Sequence, residues 1–278
     1  SIQTNGYNIN EDWCKFLKNN NFLVGLSIDG TQYTHDFYRH DKNGATTFDR
    51  IKKAAELMSE YSIKYNILTV VNDKVASNIL EIYSYYKENG WNYQQYIACL
   101  DPLDEKRGEK KYALRQEQYG KFLIQLFNLW YEDWEKNEQP YIRQFDNYIA
   151  ILLGYQPESC EQRGTCGIQN VVEADGSVFP CDFYMTDDYY IGNYNYDQTE
   201  TIDEKRREIG FVARSTNISD ECRECKFIKI CRNGCQRCRD KDDITGKYRN
   251  YFCESYKMFF DECLDKMEYI ASYIAKKN

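Results

Sequence analysis

The chain has 278 residues with 44 Asp and Glu against 36 Lys and Arg, and a net charge of -8 leaves no basic face for nucleic acid. No stretch approaches the roughly 18 to 20 apolar residues that span a bilayer, and no secretory leader pattern opens the chain, so a soluble, cytoplasmic protein with no membrane partner is expected. Twelve cysteines in such a compartment point to metal binding or catalysis rather than disulfides.

In chain order, residues 1–6 read as the end of a strand running into a glycine turn, with no initiator methionine, as if the chain were cut there. A helix is predicted near 12–20, then a buried strand over 22–28 stopped by Asp29-Gly30. A polar loop follows, in which Arg39 and His40 either grip a carboxylate or simply face solvent. Phe48, Ile51, Ala55 and Met58 recur at helical spacing within a helix over 47–61. Next come a strand at 65–71, a helix at 75–89 ended by Gly90, an extended stretch at 93–100, and helices at 115–136 and 143–153. Strands alternating with helices at this pitch predict a parallel α/β sheet or barrel, of which three βα units are visible. This part is expected to occupy residues 1–155, and a second domain residues 156–278.

The second part opens with a β-hairpin signal, Val171-Val172 and Ser177-Val178-Phe179 around Asp175-Gly176, which folds Cys181 back toward the chain that holds Cys166. A tail helix is predicted over 253–276. Only Cys14 and Cys99 lie in the first 159 residues; the other ten fall between Cys160 and Cys263. Their core is Cys222-x2-Cys225-x5-Cys231-x3-Cys235, preceded by Cys160-x5-Cys166-x14-Cys181 and followed by Cys253. Thiolates suit both zinc and iron-sulfur clusters, and spacing alone does not choose between them. Eight thiols make two complete sites and leave Cys238 and Cys263 over.

Cys166-x9-Gly176-x4-Cys181, the four-cysteine loop and Cys253 resemble the seven-cysteine SPASM motif. With Cys160 as an eighth ligand and Asp182 directly after Cys181, the set is similar to the anaerobic sulfatase-maturating enzymes, radical S-adenosylmethionine proteins, over nearly the whole chain. The resemblance implies two auxiliary 4Fe-4S clusters with interleaved ligands: Cys160, Cys166, Cys181 and Cys235 for one, Cys222, Cys225, Cys231 and Cys253 for the other. It implies the second half of a partial (β/α)6 barrel followed by a small cysteine-rich domain with a β-hairpin and helices. It also implies an oxidoreductase that cleaves S-adenosylmethionine to a 5'-deoxyadenosyl radical, removes a β-hydrogen from a Cys or Ser of a sulfatase polypeptide, and leaves Cα-formylglycine. Asp182 is then the expected base, and an external electron donor such as flavodoxin or ferredoxin an expected partner. Ser27, Asn5 and Leu100, at or near strand ends, are candidate contacts to S-adenosylmethionine, with ordinary strand-end capping as the plain alternative for Ser27 and Asn5.

One departure stands out. The radical-generating Cys-x3-Cys-x2-Cys spacing is absent from this sequence. At roughly 30 residues per βα unit, three absent units amount to about 90 residues. The chain is therefore expected to be a fragment, inactive alone, with S-adenosylmethionine and a third 4Fe-4S cluster belonging to the missing N-terminal part. Two other readings are a related SPASM maturase acting on a different peptide, and, from another class, a zinc-ribbon binding module on an α/β domain.

Overall fold

The alternation of apolar runs and helical periodicity becomes, in a computed structural model that describes residues 1–103 and 105–277, a five-stranded sheet in the order β1-β2-β3-β4-β5 with every pairing parallel. β1 (Ile2–Thr4) is followed by α1 (Glu11–Asn19), β2 (Leu23–Ser27), α2 (Gln32–Tyr38), α3 (Phe48–Glu60) and β3 (Lys64–Val71). Then come α4 (Asp73–Ser77), α5 (Ile79–Glu88), β4 (Tyr93–Ala98), α6 (Gln116–Lys136), β5 (Tyr141–Ile142) and α7 (Arg143–Leu152). Parallel strands need crossover connections, and the helices between them supply these while covering apolar side chains such as Val24, Leu26 and Ile67.

Two elements escaped the sequence pattern. α2 occupies the loop expected after Gly30, because its inward residues are the buried polar pair Thr34 and His35 and hydrophobic periodicity cannot report them. β5 is two residues long and adds a fifth strand beyond the three βα units expected. The helix expected over 75–89 is broken at Asn78, whose φ of -122° is not helical, and the first piece starts earlier because Asn72 caps it by accepting from the Lys74 and Val75 N–H groups. Tyr86 on α5 ties the carboxyl ends of β2 and β3 together: its hydroxyl accepts from Gly30 N–H at 2.8 Å, donates to Ile28 O at 3.0 Å, and lies 2.7 Å from Thr69 Oγ1.

The remaining elements are α8 (Cys160–Arg163), β6 (Val171–Val172), β7 (Ser177–Phe179), β8 (Gly192–Asn193), α9 (Thr199–Glu208), α10 (Phe211–Thr216), α11 (Asp220–Glu224), α12 (Ile228–Cys231), β9 (Arg239–Lys241), β10 (Tyr248–Asn250) and α13 (Cys253–Lys277). The hairpin forms as expected, antiparallel with Val171 opposite Phe179, and β8 adds a third strand. A second antiparallel pair joins β9 to β10.

The chain divides into two units, and the division differs from the expected 1–155 and 156–278. One unit runs from Gly154 to Cys253; the other takes residues up to Leu153 together with the tail from Glu254 on. The tail helix belongs to the α/β unit because its buried face serves that core: Phe259 packs with ring centroids 5.9 Å from Phe127 and 6.1 Å from Phe145, and Ser255 Oγ donates to Gln116 O at 2.5 Å. Its length and pattern were visible in the sequence, but its partner was not. The second unit has a small apolar centre of Val178, Ile191 and Ile202. Among the described residues no helix is long and apolar enough to cross a membrane.

Candidate metal centre

The second unit is made mostly of short elements that begin or end at cysteines. Cys160 opens α8, Cys166 follows it in a loop, and Cys181 ends the hairpin strand region. Cys222 lies in α11, whose cap Ser219 accepts from the Cys222 N–H, and Cys225 terminates that helix. Cys231 ends α12, and Cys253 opens α13. Between Cys231 and Cys235 three consecutive residues are left-handed, Arg232 at φ 50°, Asn233 at 63° and Gly234 at 58°. A left-handed non-glycine residue costs about 1 to 2 kcal/mol, so two in succession are held by their surroundings.

None of the twelve cysteines is disulfide-bonded. The thiols that oppose one another's ionisation fall into two groups. Cys166 feels Cys235 and Cys160, and Cys181 feels Cys235. Cys231 feels Cys253, Cys222 and Cys225. Burial pushes Cys166 up to about 11 and Cys181 and Cys231 up to about 12. Such thiols ionise readily only when a cation compensates them, which is the condition for coordination. Cys235 is shifted the other way, first by a hydrogen bond with Cys238.

Among the described residues no three His, Cys, Asp or Glu side chains close tightly enough to hold a single metal ion. Four cysteine sulfurs are a complete ligand set for a zinc ion or for an iron-sulfur cluster, the latter with irons and sulfides interposed between them. The polar groups around the thiols suit such a cluster. Gln236, directly after Cys235 and 4% exposed, has both amide atoms buried without a partner, and a sulfur-rich group offers hydrogen-bond acceptors to such an amide. Asn233, 2% exposed, accepts from Cys222 Sγ at 3.6 Å and from Asn250 N–H at 2.9 Å.

Asp182 is exposed at the start of a 3-10 turn, and its Oδ1 accepts from Cys181 Sγ at 3.3 Å. Of the two aromatic residues after it, Phe183 stays exposed. Tyr184 is buried against Tyr189 and Phe211 at centroid distances of 4.7 and 5.1 Å. In the α/β unit Ser27 ends β2, Asn5 follows β1, and Leu100 lies just past β4, so all three sit along the carboxyl edge of the sheet. The Asn5 side chain also makes a local turn, accepting from Tyr7 N–H at 3.0 Å. Arg39 grips a carboxylate, but an internal one: its Nε and Nη2 donate to Asp29 at 2.5 and 3.3 Å. Sequence reasoning did not single out Asn233, Gln236 and Arg239, and it left Cys238, whose hydrogen bond to Cys235 appears only in the fold, over from both sets. The available signal was Asn233-Gly234 inside the four-cysteine loop, a dipeptide that favours positive φ.

Residues 163–226 match the SPASM iron-sulfur cluster-binding domain. A cysteine-type anaerobic sulfatase-maturating enzyme of Clostridium perfringens (strain 13) is 42% identical over 99% of this chain and 74% of its own length. A serine-type enzyme of Bacteroides thetaiotaomicron is 30% identical over 97% and 68%. A structure described as native anSMEcpe with bound AdoMet and Kp18Cys peptide superposes with a TM-score of 0.92 over 98% of this chain and 75% of that one. Streptococcus suis SuiB, at 17% identity and a TM-score of 0.54, shares the fold alone. A relative that is 42% identical over 99% of this chain and 74% of its own length shows the family: the chain belongs to the anaerobic sulfatase-maturating enzymes.

Proposed function

We propose that this chain acts in oxidising a cysteine of a sulfatase polypeptide to Cα-formylglycine by the radical S-adenosylmethionine route. What supports this reading is the relationship to the cysteine-type enzyme, 42% identical over 99% of the chain, together with a matching iron-sulfur cluster-binding domain and a carboxylate, Asp182, directly after one of its cysteines. Cysteine is preferred over serine as the target because identity is 42% to the cysteine-type relative and 30% to the serine-type one.

Cys160, Cys166, Cys181 and Cys235 would hold one auxiliary 4Fe-4S cluster, and Cys222, Cys225, Cys231 and Cys253 the other. Ser27, Asn5 and Leu100 would contact S-adenosylmethionine along the carboxyl edge of the sheet, where α/β proteins bind ligands. When bound, these groups supply hydrogen abstraction and one-electron transfer, chemistry that belongs to the cofactors.

The chain's own task is the proton. Asp182 presents a solvent-facing carboxylate directly after Cys181, so a cage that held the Cys181 backbone would also place the base; the thiol proton that Oδ1 accepts here would leave when the sulfur coordinates iron. Asp182 takes the proton that leaves the substrate thiol as the carbon-sulfur double bond forms. A flavodoxin or ferredoxin as electron donor and a reducing, cytoplasmic setting accompany this reading.

The test is Asp182→Asn in the intact protein with a cysteine-containing sulfatase peptide. Release of 5'-deoxyadenosine should persist while formylglycine yield falls about a hundredfold or more, the range of a lost general base. Normal aldehyde yield would remove Asp182 from the mechanism, and absence of iron from the anaerobically purified protein would remove the cluster assignment.

A further inference from the structure

Arg239 opens β9 and is 5% exposed. Its guanidinium makes four hydrogen bonds, all to backbone carbonyls: Nε to Asn233 O at 3.0 Å, Nη1 to Ser215 O at 2.6 Å, and Nη2 to Gly164 O at 2.7 Å and Gly234 O at 2.6 Å. No carboxylate among the described residues pairs with it. A buried cation without a counter-ion is strongly disfavoured, and carbonyl dipoles offset only part of that cost.

The four carbonyls are not scattered. Gly164 belongs to the loop between Cys160 and Cys166. Ser215 accepts the Cys166 N–H on its Oγ at 2.9 Å. Asn233 and Gly234 are two of the three left-handed residues leading into Cys235, and Asn233 also receives Cys222 Sγ. One planar fork therefore fixes backbone beside Cys166 and Cys235 in one set and beside Cys222 in the other. The charges it feels are those of Cys166, Cys235, Cys238 and Cys222, drawn from both sets.

We infer that Arg239 is a positioning residue shared by both cages, holding their loops in register and serving as the buried counter-charge to the clusters they carry. This rests on the cluster assignment above. Four thiolates around each cluster leave the cages negative, and each gains a further negative charge on reduction. A buried cation bonded to the loops of both sets would favour the reduced state of the clusters they held. The guanidinium geometry is needed as well, because a lysine ammonium cannot span four carbonyls in one plane.

The experiment compares the anaerobically loaded protein with Arg239→Gln and Arg239→Lys. Iron and acid-labile sulfide in the parent come first; their absence would defeat the cluster assignment and is distinct from any result on Arg239. In folded Arg239→Gln, judged by circular dichroism, the auxiliary clusters should either titrate at more negative potentials by electron paramagnetic resonance or be lost. Arg239→Lys should keep parental potentials but release iron to a chelator about tenfold faster, the usual scale for a lost outer-shell partner. Arg239→Gln loaded at unchanged potentials would overturn the inference. If Arg239→Gln does not fold, Arg239→Lys decides: parental iron release overturns the proposal, and faster release at parental potentials upholds it.

Discussion

His35 shows how a single buried residue sets a pH limit on the α/β unit. It is fully buried, accepts the Asp29 N–H on Nδ1 at 3.1 Å, and faces Thr47 Oγ1 through Nε2 at 3.2 Å, so the neutral ring protonated on Nε2 satisfies both contacts. Burial lowers its pKa from 6.5 to about 4; the neighbouring charges of Asp29 and Asp36 oppose this, and those of Arg39 and His40 add to it. Between those values the unfolded chain binds a proton that the folded chain does not, so stability is full above pH 6.5 and is lost as pH falls toward 4. The loss amounts to about 3 kcal/mol. Denaturant titrations of the metal-free protein at pH 7 and pH 4.5 should therefore show His35→Gln losing clearly less stability on acidification than the parent; equal losses would assign the acid sensitivity to other groups. The same neighbourhood shows why Arg39 was ambiguous in the sequence. Loop composition offered a cation, but only the fold supplies Asp29 as its partner.

Short elements in the cysteine-rich unit are positioned by close backbone approach, and Gly164 is where that approach is tightest. It has φ 70°, and a Cβ there would lie 2.0 Å from Arg232 O, in the left-handed bend between Cys231 and Cys235. Gly154 has φ 85° but open space around the same position, so it carries the conformational cost without the contact. Gly154→Ala should cost about 1 to 2 kcal/mol and leave iron content intact. Gly164→Ala should cost distinctly more and lower iron per chain; indistinguishable melting points and iron contents for the two would show that the two loops need not touch. At this scale the sequence was legible where apolar periodicity was strong, as in α1, α3, α6 and α7, and at the turn chemistry of Asp175-Gly176. It was not legible where inward residues are polar, as with Thr34 and His35 in α2, or where an element is too short for periodicity, as in β5.

Across the molecule, grouping by sequence and grouping in space diverge. Cys222, Cys225, Cys231 and Cys235 fall within fourteen residues and, by spacing alone, would complete one site. Among the shifted thiols, Cys166 and Cys181 feel Cys235, and Cys231 feels Cys253 with Cys222 and Cys225, which is the grouping that the proposed ligand sets would have. The thiol count was readable from composition, whereas the left-handed run Arg232-Asn233-Gly234 and the fork of Arg239, which shape the loop between Cys231 and Cys235, are encoded by no spacing. Likewise the tail helix was readable as a helix, but its allegiance to the α/β unit is fixed by Phe259 meeting Phe127 and Phe145, partners more than a hundred positions away. Iron counting on single and double variants separates the two groupings. Cys222→Ala and Cys235→Ala should each remove about four irons per chain, and if the two thiols serve different cages the double variant should lose about eight. If they served one cage, the double variant would lose no more than either single one, since a cage already broken cannot be emptied twice.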